Sequence, residues 1–355
     1  MEVDLAAIRR NADRLAKRAG VPIIAMLKAD AYGLGAVAVA RELVDAPHVW
    51  GFGVATIDEG VALRRADINA RMLCCTPVLQ QDLSNMAAAK ITPSLSNVAD
   101  IAAWVSLGNA PWHLSIDTGM NRAGVPWNTT KDLHDIIFAH PPEGVFTHFA
   151  SAVIKDSSRA QQEVRFAEAL DECGVLRAKP DVLLHVESSM GLAARAPSPY
   201  DLVRPGVALY GWPSKSDLNV EEAFILRARV VDIRMVPAGD AVSYNGTWIA
   251  PTARRIATIS IGHADGYRRQ LSNCGQVVIN GTRSGVVGIV TMDMIMVDVS
   301  AVPCVVGDIA TLIGGSDPAS LSLDEVAALG DLSPYELLVG LRMRLSRVYK
   351  GQNNA

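Results

Sequence analysis

The feature that most constrains the fold of this chain is a regular alternation of short apolar segments with helical patterns between residues 21 and 209. Eight segments have the length and apolar content of buried strands, and helical patterns such as 131–138 and 159–170 separate most of them. Strands joined by helices pair in parallel through right-handed crossovers, and eight is the number that closes a (β/α)₈ barrel, the TIM-barrel fold. The predicted strands are 21–27, 48–55, 71–76, 91–95, 112–117, 144–149, 182–187 and 203–209.

The other architecture that such an alternation allows is an open, doubly wound parallel sheet. Dinucleotide-binding members of that class carry a G-x-G-x-x-G turn after a strand, and none of the predicted strands is followed by one. Asp4 is placed to cap a helix that ends at Gly20, and Thr56 with Glu59 predicts a capping box for a later helix. We therefore expect the closed barrel.

After the eighth segment the pattern changes to alternating stretches joined by Gly, Asn and Asp turns, which is typical of a mainly β domain. We predict a division into a barrel domain, residues 1–223, and a β domain, residues 224–355. Ser322 and Glu325 predict a capping box. The predicted strands of the β domain are 227–234, 255–261, 276–279 and 295–299. A final helix is predicted to begin at Tyr335 and to present Leu338, Leu341, Leu345 and Val348.

Composition limits the classes of partner and compartment. The formal net charge is -4 and the sequence pI is near 6.0, so no strong field attracts nucleic acid or an anionic membrane. The five cysteines form no C-x-x-C pair and are odd in number, which favours reduced thiols over a zinc site or a disulfide framework. The amino terminus is unlike a secretory signal, and no run approaches the ~20 apolar residues of a spanning helix. We expect a soluble cytoplasmic protein that binds neither nucleic acid nor membrane.

Lys28 is the most informative single residue. It follows the apolar segment 21–27 and therefore lies at the carboxyl end of the first strand, where barrel enzymes carry their chemistry. Apolar surroundings favour the neutral amine, which is the form that attacks an aldehyde to make a Schiff base. Position alone also allows an ordinary solvated lysine.

The sequence around Lys28 favours the catalytic interpretation. Residues 28–35, KADAYGLG, closely resemble the motif KANAYGHG of the alanine racemase family. The resemblance implies that Lys28 carries pyridoxal 5'-phosphate (PLP) and that Tyr32 contacts its phosphate.

Further motifs that resemble the family follow the later barrel strands. Residues 117–124, DTGMNRAG, contain Arg122. Its guanidinium can hold a carboxylate by two parallel hydrogen bonds, and the resemblance implies that it binds the α-carboxylate of an amino acid. By the same resemblance, His148 lies beside the cofactor and Ser189, in HVESS, binds phosphate. Without the resemblance, a lone histidine in an apolar strand is more often an ordinary core residue.

Residues 203–211, VRPGVALYG, resemble the family's RPGIxLYG segment. A glycine lets backbone amides approach an anion, so Gly206 and Val207 suit a phosphate. In the resemblance Arg204 faces the pyridine nitrogen of PLP. Since arginine has no acceptor for a proton on that nitrogen, the ring stays largely unprotonated, which limits side reactions such as transamination.

The β domain carries a candidate second base. Residues 242–247, VSYNGT, resemble the family's segment around its catalytic tyrosine, although Tyr244 before Asn-Gly also suits a hairpin. Racemisation needs proton exchange on both faces of a planar carbanion, and Lys28 and Tyr244 can supply one base each. Met292 and Tyr335 fall in segments that resemble the family's substrate pocket and entrance. The resemblance implies a homodimer in which one subunit's β domain completes the other's barrel.

Five positions depart from the family's pattern. They are Ser188 for asparagine, Asn245 for glycine, His263 for tyrosine, Thr291 for cysteine, and Ser115 where many members carry a carbamylated lysine. Because serine cannot form a carbamate, another group must orient Arg122. These changes also bear on the preferred side chain of the substrate.

The expected function is a PLP-dependent racemase that interconverts L- and D-alanine and supplies D-alanine for peptidoglycan. A racemase of broader or shifted specificity, such as serine, is the nearest alternative. A PLP-dependent barrel decarboxylase would pair the pyridine nitrogen with a carboxylate, which Arg204 argues against. A non-catalytic PLP-binding barrel would share Lys28 but would lack the β domain and Tyr244.

Overall fold

The structure, a computed structural model, describes residues 1–108, 110–152, 157–213, 216–341 and 344–351. Eight parallel strands, numbered one to eight along the chain, lie in the spatial order 3-2-1-8-7-6-5-4. A parallel bridge between Leu73 and Thr92 joins strand three to strand four, so the sheet closes and the predicted (β/α)₈ barrel is confirmed. The strands are Ile23–Met26, Val49–Val54, Met72–Cys74, Ser94–Leu95, His113–Asp117, Gly144–Phe146, Leu183–Ser188 and Leu202–Arg204.

Helices link successive barrel strands, and the predicted caps form. The Asp4 carboxylate accepts a hydrogen bond from the Ala7 amide at 2.8 Å, and Gly20 ends that helix at φ 74°. Both halves of the Thr56 and Glu59 capping box are present. The helices are Leu5–Ala19, Ala36–Leu43, Ile57–Arg65, Leu83–Ala88, Val98–Ser106, His134–Ala139, Ser157–Glu172, Val175–Ala178 and Ser189–Ala194. The 3₁₀ helices are Gln80–Asp82, Trp127–Leu133 and Val207–Tyr210, and a short strand, Val125–Pro126, pairs with strand five.

The β domain is built on the 13-residue strand Phe224–Val236. This strand pairs with Ile309–Ile313 along its first half and with Arg254–Ile259 along its second half. Glu2–Asp4 also pairs with it, so the first residues of the chain join the sheet of the second domain. The remaining strands are Ala241–Val242, Trp248–Ile249, Gln276–Ile279, Thr282–Gly285, Ile295–Asp298 and Val348–Lys350, and the 3₁₀ helices are Tyr244–Gly246, His263–Asp265 and Arg269–Leu271.

Several predicted elements are longer than the observed ones: the sixth strand, predicted over 144–149, ends at Phe146, so His148 follows it, and the differences are larger still at the eighth strand and the final helix. The eighth strand ends at Arg204 and not at residue 209, and Gly206 precedes the 3₁₀ helix Val207–Tyr210 rather than lying in a strand. The final helix is only Pro334–Gly340, because Leu341 leaves the helical region at ψ 59°. Val348, predicted to lie on the final helix, instead begins the strand Val348–Lys350, which pairs with Glu2–Asp4, a partner that local periodicity does not reveal.

The helix Leu323–Leu329 begins where it was predicted, but only half of its capping box forms. The Ser322 hydroxyl accepts a hydrogen bond from the Glu325 amide at 3.2 Å. The Glu325 carboxylate instead pairs with Arg283. The single bond from Ser322 is therefore the cap.

Most buried apolar side chains of the barrel and of the β domain belong to one continuous cluster, and a second, small cluster around Val236 and Ile256 lies within the β domain. The continuous cluster includes Ile24 from strand one and Val297 and Leu312 from the β domain, all of them without solvent exposure. Within the described ranges, no helix combines the length and apolar content needed to cross a membrane.

Candidate active site

A pocket of about 500 Å³ opens at the carboxyl ends of the barrel strands. Nine of the eleven predicted site residues line it, whereas Tyr244 and Met292 do not. The nine are Lys28, Tyr32, Arg122, His148, Ser189, Arg204, Gly206, Val207 and Tyr335. Residues that are far apart in the sequence therefore meet where barrel enzymes place their chemistry.

Lys28 begins a left-handed turn of the backbone. Residues 29–32 all have φ between 53° and 57°, a region that costs an L-residue about 1–2 kcal/mol. The Glu59 carboxylate holds the turn, because one oxygen accepts a hydrogen bond from the Ala29 amide at 2.7 Å and the other from the Ala55 amide at 2.8 Å. Glu59 therefore ties the residue after Lys28 to the end of strand two.

Asp30 fixes the other side of this turn. One oxygen of its carboxylate accepts a hydrogen bond from the Ala36 amide at 2.8 Å, and the other forms an ion pair with Arg347 at 2.7 Å. The Arg347 guanidinium also donates to the carbonyl of Gly33 at 2.9 Å. The strained backbone beside Lys28 is thus held from the helix that follows it and from the carboxyl-terminal segment.

Arg204 is buried at the floor of the pocket, with 5% of its surface exposed. Its guanidinium donates to the carbonyl of Thr147 at 2.8 Å, to that of Val186 at 3.1 Å, and to His185 Nδ1 at 2.7 Å. Among the described residues no carboxylate forms an ion pair with it. Burial lowers the pKa of Arg204 to about 10, so the group remains a cation at neutral pH.

Two titratable side chains beside Arg204 stay neutral. His148 Nδ1 lies 3.5 Å from Arg204 Nη2, and burial, reinforced by the charges of Arg204 and Arg122, lowers the pKa of His148 to about 3. Burial raises the pKa of the Cys75 thiol to about 11. His148 is therefore a hydrogen-bonding imidazole and not a cation at neutral pH.

The pocket contains a cradle suited to a phosphate. The Ser189 hydroxyl oxygen accepts hydrogen bonds from the Gly206 amide at 2.9 Å and from the Ala208 amide at 3.2 Å. A β-carbon on Gly206 would lie only 2.2 Å from the Tyr32 hydroxyl, so this position requires glycine. The hydroxyls of Ser189 and Tyr32 thus meet the backbone of Gly206 and Val207 at the pocket wall, and hydroxyl groups together with closely approaching backbone form anion sites. Together with Lys28, this donor set fits PLP.

The loop after strand five presents Arg122. The Asp117 carboxylate accepts hydrogen bonds from the amides of Gly119 at 2.8 Å and Arg122 at 3.1 Å, which folds the loop around it. The Arg122 guanidinium makes no hydrogen bond or ion pair with any described residue, Ser115 included. Its donors therefore remain available for a carboxylate ligand.

Two tyrosine rings, those of Tyr32 and Tyr335, line the pocket, and Trp212 packs against Tyr335 outside it. The Tyr335 ring lies 6.5 Å from the Tyr32 ring and 4.9 Å from the Trp212 ring, measured between centroids. Burial raises the pKa of Tyr335, so its hydroxyl stays protonated at neutral pH. The helix Pro334–Gly340 thus brings a β-domain residue to the barrel mouth.

Tyr244 and Met292 lie away from the pocket of their own chain. The Tyr244 side chain is 67% exposed and the Met292 side chain is 57% exposed. They occupy neighbouring loops, which are joined by a hydrogen bond of 2.8 Å from the Ser243 hydroxyl to the Ile289 carbonyl. The catalytic role of Tyr244 and the substrate-binding role of Met292 stay predictions that depend on a second subunit.

The sequence did not indicate the roles of Glu59, Cys75, His113 and His185 at this site. Glu59 was predicted only as half of a capping box, which it also forms. His113 and His185 are fully buried in barrel strands. Histidines inside apolar strands were the available signal, but which faces of those strands point into the barrel depends on the register of the sheet.

Comparison with known proteins places the chain among its relatives. The family model "Alanine racemase, N-terminal domain" matches residues 3–213, and "Alanine racemase, C-terminal domain" matches residues 223–349. The chain belongs to the alanine racemase family. The alanine racemase of Deinococcus radiodurans is 36% identical over 97% of both chains, and that of Carboxydothermus hydrogenoformans is 36% identical over 98% of both.

Solved alanine racemase structures share the fold along almost the whole chain. The enzyme from Bacillus anthracis with bound L-Ala-P superposes with a TM-score of 0.89 and 30% identity, over 99% of this chain and 95% of that one. The enzyme from Bartonella henselae with covalently bound pyridoxal phosphate also gives a TM-score of 0.89 and 30% identity, over 98% of each chain.

Proposed function

We propose that this protein is a PLP-dependent racemase that interconverts L-alanine and D-alanine. The observation that carries the proposal is that Lys28 and Arg204 line one pocket, while carbonyls and His185 hold Arg204 and no described carboxylate contacts it. A PLP-dependent decarboxylase of the barrel type would need a carboxylate at that place. The arrangement instead suits an enzyme that only moves an α-proton.

Each polar residue of the pocket has a distinct task in this proposal. PLP, when bound at Lys28, withdraws electrons from the α-carbon so that its proton can leave. The Lys28 amine takes or returns that proton on one face, and the phenol of Tyr244 from the partner subunit does so on the other. Arg122 binds the α-carboxylate through two parallel hydrogen bonds. Arg204 would face the ring nitrogen of bound PLP and would offer it no proton acceptor, which would limit side reactions.

We propose further that the protein is a homodimer with shared active sites, each barrel being completed by the partner subunit's Tyr244 and the partner subunit's Met292. Both side chains are largely exposed on the β domain, as are Ile249 at 59% and Met294 at 43%. A contiguous patch of exposed apolar side chains commonly marks an interface between proteins. The domain division between residues 223 and 224 is part of the same proposal.

Mixing two inactive variants tests the shared site. Lys28→Ala chains and Tyr244→Phe chains, unfolded and refolded together, should form heterodimers in statistical proportion. One site of each heterodimer would hold both defects, and the other would hold Lys28 and Tyr244 intact. About a quarter of wild-type activity should therefore return.

A matched control uses Lys28→Ala chains mixed with chains that carry both substitutions. Every site in those dimers lacks Lys28 or Tyr244, so no activity should return. If verified heterodimers of the two single variants are as inactive as this control, each chain supplies both of its own bases and the shared-site proposal is wrong.

The proposed cellular role is the supply of D-alanine for peptidoglycan in the cytoplasm. Expression of the wild-type chain in a bacterium that requires D-alanine should restore growth without it, whereas Lys28→Ala should not. Alanine should be preferred to lysine and arginine as a substrate, because Tyr335 narrows the mouth of the pocket against Tyr32 and Trp212. Faster turnover of a long basic amino acid would reject the proposed specificity.

A further inference from the structure

A chain of ionisable side chains runs through the barrel interior beneath Arg204. Arg204 Nη1 lies 2.7 Å from His185 Nδ1, and His185 Nε2 lies 2.8 Å from His113 Nδ1. His113 Nε2 lies 3.4 Å from Glu143 Oε2. Both histidines are fully buried, whereas the Glu143 side chain is 26% exposed. The chain therefore links the pocket floor with solvent near the amino-terminal ends of the strands.

The barrel is built to admit these polar groups, although barrel interiors are usually filled by branched aliphatic side chains. A β-carbon on Gly144 would lie 2.6 Å from His113 Cε1, so this glycine makes room for the His113 ring. The Phe146 ring stacks on the His185 ring with 4.9 Å between centroids. It also lies 5.0 Å from the guanidinium carbon of Arg204. Strand six thus leaves room for the His113 ring and supports the His185 ring.

Hydrogen-bond chemistry determines where the proton lies on each ring. A guanidinium has only donors, so His185 Nδ1 must be unprotonated in order to accept from Arg204. A neutral imidazole then carries its proton on Nε2, and His185 donates that proton to His113 Nδ1. His113 consequently carries its own proton on Nε2, which faces Glu143. Any other arrangement places two donors or two acceptors against each other.

The charge states of His113, His185 and Glu143 agree with this order of protons along the chain of contacts. Burial lowers the pKa of both His113 and His185, so both rings are neutral at neutral pH. The contact with His113 lowers the pKa of Glu143, which keeps its carboxylate ionised. His113 Nε2 forms no hydrogen bond with any described residue, and its contact with the Glu143 carboxylate, at 3.4 Å, is electrostatic. A buried cation and a carboxylate are thus joined through two neutral imidazoles.

We propose that His113 and Glu143 are positioning residues of the active site. They fix the tautomer and orientation of His185, and His185 in turn holds the Arg204 guanidinium at the pocket floor. The effect on catalysis rests on the proposed function, in which Arg204 faces the cofactor ring. The order of protons is a property of the protein alone and is measurable without any activity.

Loss of the Glu143 carboxylate would weaken this support. His113 could then carry its proton on Nδ1, which would face the Nε2 proton of His185 and disturb the contact with Arg204. Loss of a residue that orients a side chain of the active site commonly lowers activity about tenfold or more. We expect a fall of about tenfold in kcat. KM for alanine should stay within about twofold, because Arg122, which binds the substrate's carboxylate, is not part of the chain of contacts.

Nitrogen NMR of the full-length protein with ¹⁵N-labelled histidine tests the proton order directly. Among the seven histidines, the signals of His113 and His185, assigned through single-site variants, should both report the neutral tautomer with its proton on Nε2. They should keep it from about pH 8 to about pH 6, where an unperturbed histidine titrates. A proton on Nδ1 of either ring, or a cationic ring at pH 7, would overturn the proposal.

Two pairs of variants test the positioning role. Glu143→Leu should lower kcat about tenfold and change the His113 signals. Its control, Arg71→Gln, removes the other ion-pair partner of Glu143, at 3.6 Å, but keeps the Glu143 carboxylate beside His113, so kcat and the His113 tautomer should stay unchanged. His113→Asn keeps an acceptor near the position of Nδ1, so it should retain more activity than His113→Leu.

The outcomes separate this inference from the proposed function. If Glu143→Leu folds with unchanged tautomers and unchanged kcat, the positioning role is wrong while the racemase proposal stands. If Glu143→Leu does not fold, equal activity of the two His113 variants likewise shows that the positioning role is wrong. If the wild-type protein shows the expected tautomers but racemises no alanine, the proposed function fails and the proton order stands.

Discussion

Replacing Ala29 by glycine should stabilise the protein, although the same change inside a right-handed helix is destabilising. Ala29 has φ 54° and ψ 44°. This left-handed conformation costs an L-residue about 1–2 kcal/mol, and glycine adopts it without that cost. Glycine destabilises the folded state by about 0.5–1 kcal/mol relative to alanine, because an unfolded chain with glycine loses more conformational entropy on folding. The difference is a net stabilisation of about 0.5–1 kcal/mol.

Thermal melts of the cofactor-free variants at one fixed protein concentration measure this effect. The matched control is Ala62→Gly, an exposed position in the helix Ile57–Arg65, which should destabilise by about 1 kcal/mol. Tm should rise by about 1–4 °C for Ala29→Gly and fall by a similar amount for the control. The glycine variant should also retain PLP less well, because the backbone beside Lys28 is less restrained. A fall in Tm equal to that of Ala62→Gly would refute the left-handed turn as the source of strain.

Two further predictions concern Glu59, which holds the turn after Lys28, and His148, which lies beside Arg204 in the pocket. Glu59→Gln places an amide donor against one of the backbone amides of Ala29 and Ala55, so PLP should bind about tenfold more weakly. The control Thr56→Ala removes only the helix cap, so it should lower stability and leave PLP affinity unchanged. Equal PLP affinity in the two variants would contradict the role of Glu59. Burial lowers the pKa of His148 in the folded protein from 6.5 to about 3. Below pH 6.5, His148 therefore becomes protonated in the unfolded chain while it stays neutral in the folded chain. The contribution of His148 to the free energy of unfolding of the cofactor-free protein is therefore fully present above pH 6.5. Below that pH it falls by roughly 1.4 kcal/mol per pH unit. Denaturant titrations from pH 8 to 5 should show a shallower fall for His148→Asn, and identical pH profiles would reject the buried neutral imidazole.

The barrel and most of its pocket could be predicted because the chemistry follows the strand ends. Once eight strands are recognised, the residues after each strand must meet at one rim. Lys28, Arg122 and Ser189 were located in this way together with their motifs, and the pocket contains them. The turn residues Asn280 and Gly281, both at positive φ, likewise mark the hairpin between Gln276–Ile279 and Thr282–Gly285.

The features that escaped prediction depend on contacts between distant parts of the chain. Val348 continues a helical spacing of leucines, yet it pairs with Glu2, at the other end of the chain. The left-handed turn after Lys28 has no glycine in residues 29–32, so local propensity argues against it. It exists because Glu59 and Asp30 hold it from outside. Local sequence does not report such partners.

The most direct test of the account is to incubate the purified PLP-loaded protein separately with L-alanine and with D-alanine and to follow both enantiomers by chiral chromatography. Enantiomers have equal free energies, so both reactions should converge on equal amounts of L- and D-alanine, with no loss of total alanine. Lys28→Ala should leave each enantiomer unchanged. Failure of the wild-type protein to form D-alanine from L-alanine, or conversion of alanine into a keto acid or an amine instead, would contradict the assignment of this pocket to racemisation.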